Sequence, residues 1–149
     1  MGLLDATSEE PQSKLRRWII SGLALALLIS LTIGYMFRFY PEKRAVERFL
    51  DTLVAGDTAR AYQLWKPSGS YTFQDFLEDW GPTGYYGPVK SYHIETAQNP
   101  RGGGSGVIIV VELSPYQPFP AANDTEKNRR TKEVRIWVER KDKSLGFPP

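Results

Sequence analysis

The chain has 149 residues and a net charge near +2, with no concentrated field of either sign, which argues against nucleic acid as a partner. It contains no cysteine, which excludes disulfides, an acylated lipoprotein-type Cys, thiolate zinc sites and Cys nucleophiles together. The same absence leaves both sides of a membrane open as a compartment.

In chain order, the first stretch is polar, with Asp5, Glu9, Glu10 and Pro11 among small residues, and it predicts a disordered tail over residues 1–17. Lys14, Arg16 and Arg17 abut Trp18–Phe37, twenty consecutive residues without a charge. At about 1.5 Å of rise per residue, such a helix spans the roughly 30 Å hydrocarbon core of a bilayer. A secretory signal peptide shares the basic-then-apolar order. This apolar run is longer than a signal core, however, and its far end, Tyr35-Met36-Phe37, has no small-x-small cleavage site. The pattern predicts an uncleaved, single-pass signal anchor at the cell membrane. Basic residues flank both ends, with Arg38, Lys43, Arg44 and Arg48 on the far side. The triplet set tight against the span favours a cytoplasmic N-terminus and an extracytoplasmic C-terminal domain. Trp18 at one end and Tyr35, Phe39 and Tyr40 at the other suit interfacial anchors. Within the span, Gly22, Ala26, Ser30 and Gly34 recur every four residues, a candidate helix-association stripe.

Residues 41–149 form about one domain's worth of chain, and the aromatic content gives it ample core mass. Pro41 suits a first helical turn, and Ala45, Val46, Phe49, Leu50, Leu53 and Val54 trace one apolar face. Gly56 suits a left-handed cap and Asp57 the N-cap of a second helix carrying Ala61, Tyr62, Leu64 and Trp65. Lys66–Ser70 breaks that helix. Thr72 with Asp75 reads as a capping box for a third, whose buried side is Phe73, Phe76, Leu77 and Trp80, with Gly81-Pro82 as its stop. Strands follow. Val89–Ala97 is rich in β-branched and aromatic residues, and Val107–Leu113 is a Val/Ile run that predicts a central position. Glu133–Arg140 alternates, with Val134, Ile136 and Val138 on one face, and Leu145–Phe147 is a last short strand or a packed tail. Helices first and strands after predict an α+β fold, with three helices packed on a curved antiparallel sheet behind a single N-terminal transmembrane helix.

Phe49-Leu50-Asp51-Thr52-Leu53, then Gly56-Asp57, then Ala61-Tyr62-Gln63-Leu64-Trp65 resembles the opening of nuclear-transport-factor-two-like domains, the cone-shaped fold shared with ketosteroid isomerase. Gly87-Pro88-Val89-Lys90-Ser91-Tyr92 is similar to that family's entry into its sheet. The resemblance spans most of residues 42–140 and is nearest to small membrane-anchored bacterial members without a defined activity. It implies a cavity beneath the sheet. The shared motif is one of packing, so it bears on fold rather than chemistry.

Pocket catalysis of the isomerase kind needs a carboxylate base and facing acidic donors. Glu95 and Glu112 are the carboxylates of the first two strands and read as outward, solvated residues, so no catalytic residue carries over. His93 is the sole histidine and cannot build a multi-His metal site. Gly102–Gly106 lacks the Lys-Ser/Thr and the following helix of a phosphate cradle, and no Gly-x-Ser-x-Gly elbow occurs. The expectation is therefore a protein that is not an enzyme and takes no cofactor or metal. The long Ser114–Lys132 segment reads either as a solvated linker or as a contact site, with Tyr116 and Phe119 as apolar anchors beside Arg129 and Arg130. Two functions follow as expectations. The first is an accessory protein binding the bilayer and a membrane-protein partner or a second copy of itself. The second is a pocket for a small apolar ligand.

Overall fold

The structure, a computed structural model, describes residues 11–65 and 69–149. The chain divides into two compact units, Met1–Arg38 and Phe39–Pro149.

The first unit is helix α1, Pro11–Met36, 26 residues long. The expected disordered tail over residues 1–17 needs correction, because the helix already begins at Pro11. Proline is at home in a first turn, and Gln12, Lys14, Leu15, Arg16 and Arg17 are good helix formers. Extending an apolar helix by such residues costs little once its nucleus exists. Residues 1–10 lie outside the described residues. Along α1 the large apolar side chains are exposed, from Ile29 at 51% to Trp18 at 78%.

The second unit opens with α2, Tyr40–Val54, with Pro41 in its first turn as expected. Val46, Phe49, Leu50 and Leu53 on its apolar face are buried, and Ala45 and Val54 partly so. The helix ends in a Schellman motif. Gly56 sits at φ 81°, its N–H reaches Leu53 O at 3.0 Å, and Asp57 N–H reaches Thr52 O at 3.1 Å. Asp57 then caps α3, Thr58–Trp65, by accepting the Arg60 N–H at 3.0 Å. The expected breaker lies partly outside the described residues, at 66–68. The capping box of α4, Phe73–Trp80, is complete, with Thr72 and Asp75 each accepting the other's backbone N–H. Phe73 departs from the expectation of burial. It is the first residue of α4, sits at the rim of the core 40% exposed, and packs edge-on against Tyr62 instead.

Strands β1 (Ser91–Gln98), β2 (Gly106–Ser114), β3 (Lys132–Glu139) and β4 (Leu145–Gly146) form one antiparallel sheet in that order. β2 is central, as its Val/Ile run implied. A bulge between Ile94 and Thr96 interrupts the β1–β2 register, a device that bends a strand and raises its twist. The face of β2 and β3 bearing Val107, Ile109, Val111, Leu113, Val134, Ile136 and Val138 is buried against the helices. There it meets an aromatic cluster. The Phe49 ring lies 5.0 Å from both Trp65 and Trp80 and 6.2 Å from Phe76, separations at which aromatic pairs attract beyond their area burial. A short helix α5, Thr125–Asn128, stands in the middle of the expected long loop, capped by Asp124.

Candidate interaction surfaces

Strand β2 defines two ends of the domain, about 27 Å apart at ~3.4 Å per residue over its length. The register places Gly106 beside Glu139 at one end, and Leu113 beside Lys132 at the other.

At the first end the chain enters α2. Glu42, in the first turn of α2 and 5% exposed, accepts a hydrogen bond from Lys143 Nζ at 2.8 Å across 101 residues of sequence. The same ammonium donates to Arg140 O at 2.6 Å, and Arg140 donates to the Asn99 side chain at 2.5 Å. Ser105 Oγ donates to Glu139 at 2.7 Å. These bonds gather the start of α2, the β1–β2 hairpin and the β3–β4 turn into one surface. Lys143 stands at φ 57°, a conformation that costs a residue with a side chain roughly 1–2 kcal/mol. Glycine would hold the turn more cheaply, but only a lysine supplies the ammonium that Glu42 needs. Glu42 Oε2 has no partner among the described residues, so Lys143 is the carboxylate's main compensation.

On the sheet face turned away from the helices, near this end, runs an open groove of about 730 Å³. Its floor is Ile108 and Trp137, with Gln98, Asn99, Arg101 and Arg135 on its walls. The Trp137 indole lies over Gly106 so closely that a Cβ there would collide with it. The second glycine role is therefore packing, and a close approach of ring to backbone is what the glycine permits.

At the second end, the expected contact loop is held to the sheet. Ser91 Oγ donates to Tyr116 O at 2.5 Å, the Phe119 ring lies 5.9 Å from that of His93, and Asn128 donates to Ala121 O at 2.9 Å. Lys127 Nζ sits 5.8 Å from the Tyr116 ring centre, which brings α5 onto the aromatic part of the loop. Tyr116 and Phe119 are half-buried, so part of their apolar surface fastens the loop itself. Arg129 and Arg130 are exposed, and their side chains have no partner among the described residues. The nearby Lys132 ammonium donates to Tyr85 O and lies 4.6 Å from the Tyr85 ring. Gly22, Ala26, Ser30 and Gly34 all lie in α1 and are exposed, with open space around Gly22 and Gly34.

Titratable groups serve structure at several points. Tyr92 OH donates to Asp51 at 2.6 Å, and burial followed by that bond pushes the phenol well above its ordinary 10.0. Tyr71 OH donates to Asp79 at 2.6 Å, and burial and that bond raise it likewise. Glu95 and His93 are exposed and Glu112 is half-buried on the outer sheet face, where Glu112 pairs with His93 and Glu133 in register. Among the described residues no three His, Cys, Asp or Glu side chains group as metal ligands. Between the α2–α3 junction and the connection from α4 to β1 lies an open pocket of about 80 Å³, lined by Leu53, Thr58, Trp80, Pro88 and Val89; the buried Trp80 Nε1 has no partner among the described residues.

Compared with protein-family models, characterised proteins and solved structures, the chain finds no match.

Sequence reasoning missed the Glu42–Lys143 clamp and the Trp137–Gly106 contact. The first joins residues 101 positions apart and leaves no local pattern. The second has a faint signal, a glycine at the mouth of the strongest strand, which marks close approach as readily as a loose hairpin.

Proposed function

We propose that this chain is a non-enzymatic, single-pass accessory protein whose helix α1 holds a cone-fold domain of the nuclear-transport-factor-two-like type beside the cell membrane, where the domain binds a membrane-protein partner. The N-terminus lies in the cytoplasm and the domain outside it. The observation that carries the reading is α1 itself. It is about 39 Å long at 1.5 Å per residue, long enough to cross a bilayer, and its large apolar side chains are exposed throughout. In water such a surface is strongly unfavourable, and lipid is the solvent that relieves it. Three helices ahead of an antiparallel sheet, with the Gly56 cap and Asp57 N-cap in the resembling segment, support the domain assignment.

For the partner, the loop end of the domain is favoured. Arg129 and Arg130 are exposed with no side-chain partner among the described residues, and in the same loop Lys127 lies over the Tyr116 ring, a combination suited to an acidic protein surface with an apolar centre. Affinity purification in mild detergent, with Arg129→Glu and Arg130→Glu as the comparison, tests this. A specific membrane protein recovered with the parent chain and lost with the double variant supports the reading. Recovery of the isolated chain from both counts against it. Alkaline carbonate washing and protease protection of intact cells test the anchor and its orientation.

A second reading, a small apolar ligand pocket, draws on the cavity beside Trp80. At about 80 Å³, and lined by Leu53, Val54, Pro88 and Val89, it suits an apolar molecule of a few heavy atoms.

A further inference from the structure

The proposed span leaves only Phe37, Arg38 and Phe39 between α1 and α2. Such a connection reaches at most about 14 Å. Whatever the orientation of the domain, the first turn of α2 stays within that distance of the end of the span. The Glu42–Lys143 and Arg140–Asn99 bonds fix two further segments to this first turn. The basic side chains of the β1–β2 hairpin and the β3–β4 turn are therefore carried to the same end. Glu42 and Glu139 are engaged by Lys143 and Ser105, and Asp142 accepts both hydrogen-bonding groups of Ser144. By contrast, the side chains of Lys43, Arg101 and Lys141 have no partner among the described residues, and Arg101 and Lys141 are exposed. The Arg129/Arg130 loop lies at the opposite end of β2, about 27 Å away at ~3.4 Å per residue, and is not part of this surface.

We infer that this end of the domain is a docking surface for anionic lipid headgroups. Lys43, Arg101 and Lys141 are its contact cations, and the Glu42–Lys143 bond is the clamp that holds the turn in place. The inference rests on the anchor reading above. Its basis is charge complementarity at short range. A basic side chain near a negatively charged bilayer gains attraction that fades within a Debye length, about 8–10 Å at physiological salt, and the short connection lets this end of the domain approach the headgroups that closely.

The absence of cysteine allows a single reporter dye to be placed at will. Gly102 is exposed, and a Cβ there meets nothing within 4 Å, so Gly102→Cys reports on the proposed surface. Ala122→Cys, exposed at the other end, is the control. The full chain is reconstituted into nanodiscs of phosphatidylcholine, alone or with a minority of phosphatidylglycerol, each carrying a headgroup-linked energy-transfer acceptor. The expected result is greater transfer from position 102 in the anionic discs, with no such gain from position 122. That gain disappears near 1 M salt, where the Debye length is about 3 Å. Arg101→Gln and Lys141→Gln each lower the docked-to-undocked ratio roughly fivefold. Both side chains stand free, so their loss leaves the fold intact. Equal transfer from 102 in the two lipids overturns the proposal, as does a gain untouched by the double glutamine variant or shared by position 122. Failure of the chain to co-elute with any disc overturns the anchor reading and this proposal together. Co-elution without lipid dependence overturns this proposal alone.

Discussion

Replacing Lys143 by Met removes the hydrogen-bonding partner of Glu42 while keeping most of the side-chain volume. Glu42 is 5% exposed, its second oxygen is already without a partner among the described residues, and the carboxylate cannot reach water without moving α2. Breaking a fully buried ion pair from one side costs about 3–5 kcal/mol. Lys143 is 36% exposed at its side chain, so solvent already screens this pair, and the placement of Glu42 in the first turn of α2 returns about 0.3–1 kcal/mol through the helix dipole. The expected loss for Lys143→Met is thus about 2 kcal/mol. Glu42→Leu behaves differently. It leaves an ammonium that can turn into water, and it adds buried apolar surface, so its cost is about 0–1 kcal/mol. Lys143→Gly loses the pair but relaxes the φ 57° strain, recovering roughly 1 kcal/mol of the Met variant's deficit. The double variant Glu42→Leu/Lys143→Met lies close to the parent. Urea unfolding of the full chain in detergent, followed by near-ultraviolet circular dichroism, measures all four. The reasoning fails if Glu42→Leu costs as much as Lys143→Met, because the carboxylate would then be a net stabiliser and not a group that needs compensation.

Gly106→Val drives a side chain into the Trp137 indole and is expected to cost about 1–3 kcal/mol, with Trp137→Ala in the same chain restoring part of the loss; an undiminished melting temperature for Gly106→Val alone would contradict the contact. Thr72→Ala removes the N-cap of α4 and should lower stability by about 1 kcal/mol in the same unfolding assay. The Thr72 backbone and hydroxyl bonds hold Asp75 below its ordinary 3.8, so this contribution is complete above that pH and fades as the pH falls through the lower folded value. The acid limb of the stability profile should flatten in Thr72→Ala. Tyr92 is raised above 10.0, first by burial and then by its bond to Asp51, so its contribution is complete below pH 10 and is lost as the pH climbs toward the folded value. Tyr92→Phe should therefore narrow the gap between folded and unfolded tyrosinate titrations, and cost about 0.5–1.5 kcal/mol at neutral pH. Phe49→Ala opens a cavity among Trp65, Phe76 and Trp80, and a loss of about 3–5 kcal/mol, enough to unfold a marginal domain, is expected by thermal denaturation.

Much of the fold was legible because its signals are local. The α2 face repeats with helical period, the Gly56-Asp57 pair contains both a C-cap and an N-cap, and Thr72 with Asp75 is a complete capping box within four residues. Alternation set the inner face of β3 at Val134, Ile136 and Val138, and an unbroken Val/Ile run marked β2 as central. The tail was misjudged at residues 11–17 because polar composition resembles disorder, whereas a neighbouring apolar helix extends through good helix formers at little cost. Phe73 was misjudged because periodicity gives direction around an axis but not distance from the core. The loop residues Tyr116, Phe119, Arg129 and Arg130 all fall in the one segment Ser114–Lys132. Their division into two that fasten the loop and two that stand free depends on where β1 and α5 pass.

The sequence by itself determined an uncharged stretch long enough for a bilayer, a domain of helices followed by strands, and the composition limits on its chemistry. These follow from hydropathy, period and residue inventory, which are properties of short windows. Tertiary structure alone decided which charges share a surface. Glu42 meets Lys143 and Arg140 meets Asn99 across 101 and 41 residues, because antiparallel pairing returns both hairpin turns to the end where α2 begins. The same pairing sends Arg129 and Arg130 to the opposite end. A net charge near +2 conceals that separation, since net charge is a sum over the chain and a surface is a choice made by its folding.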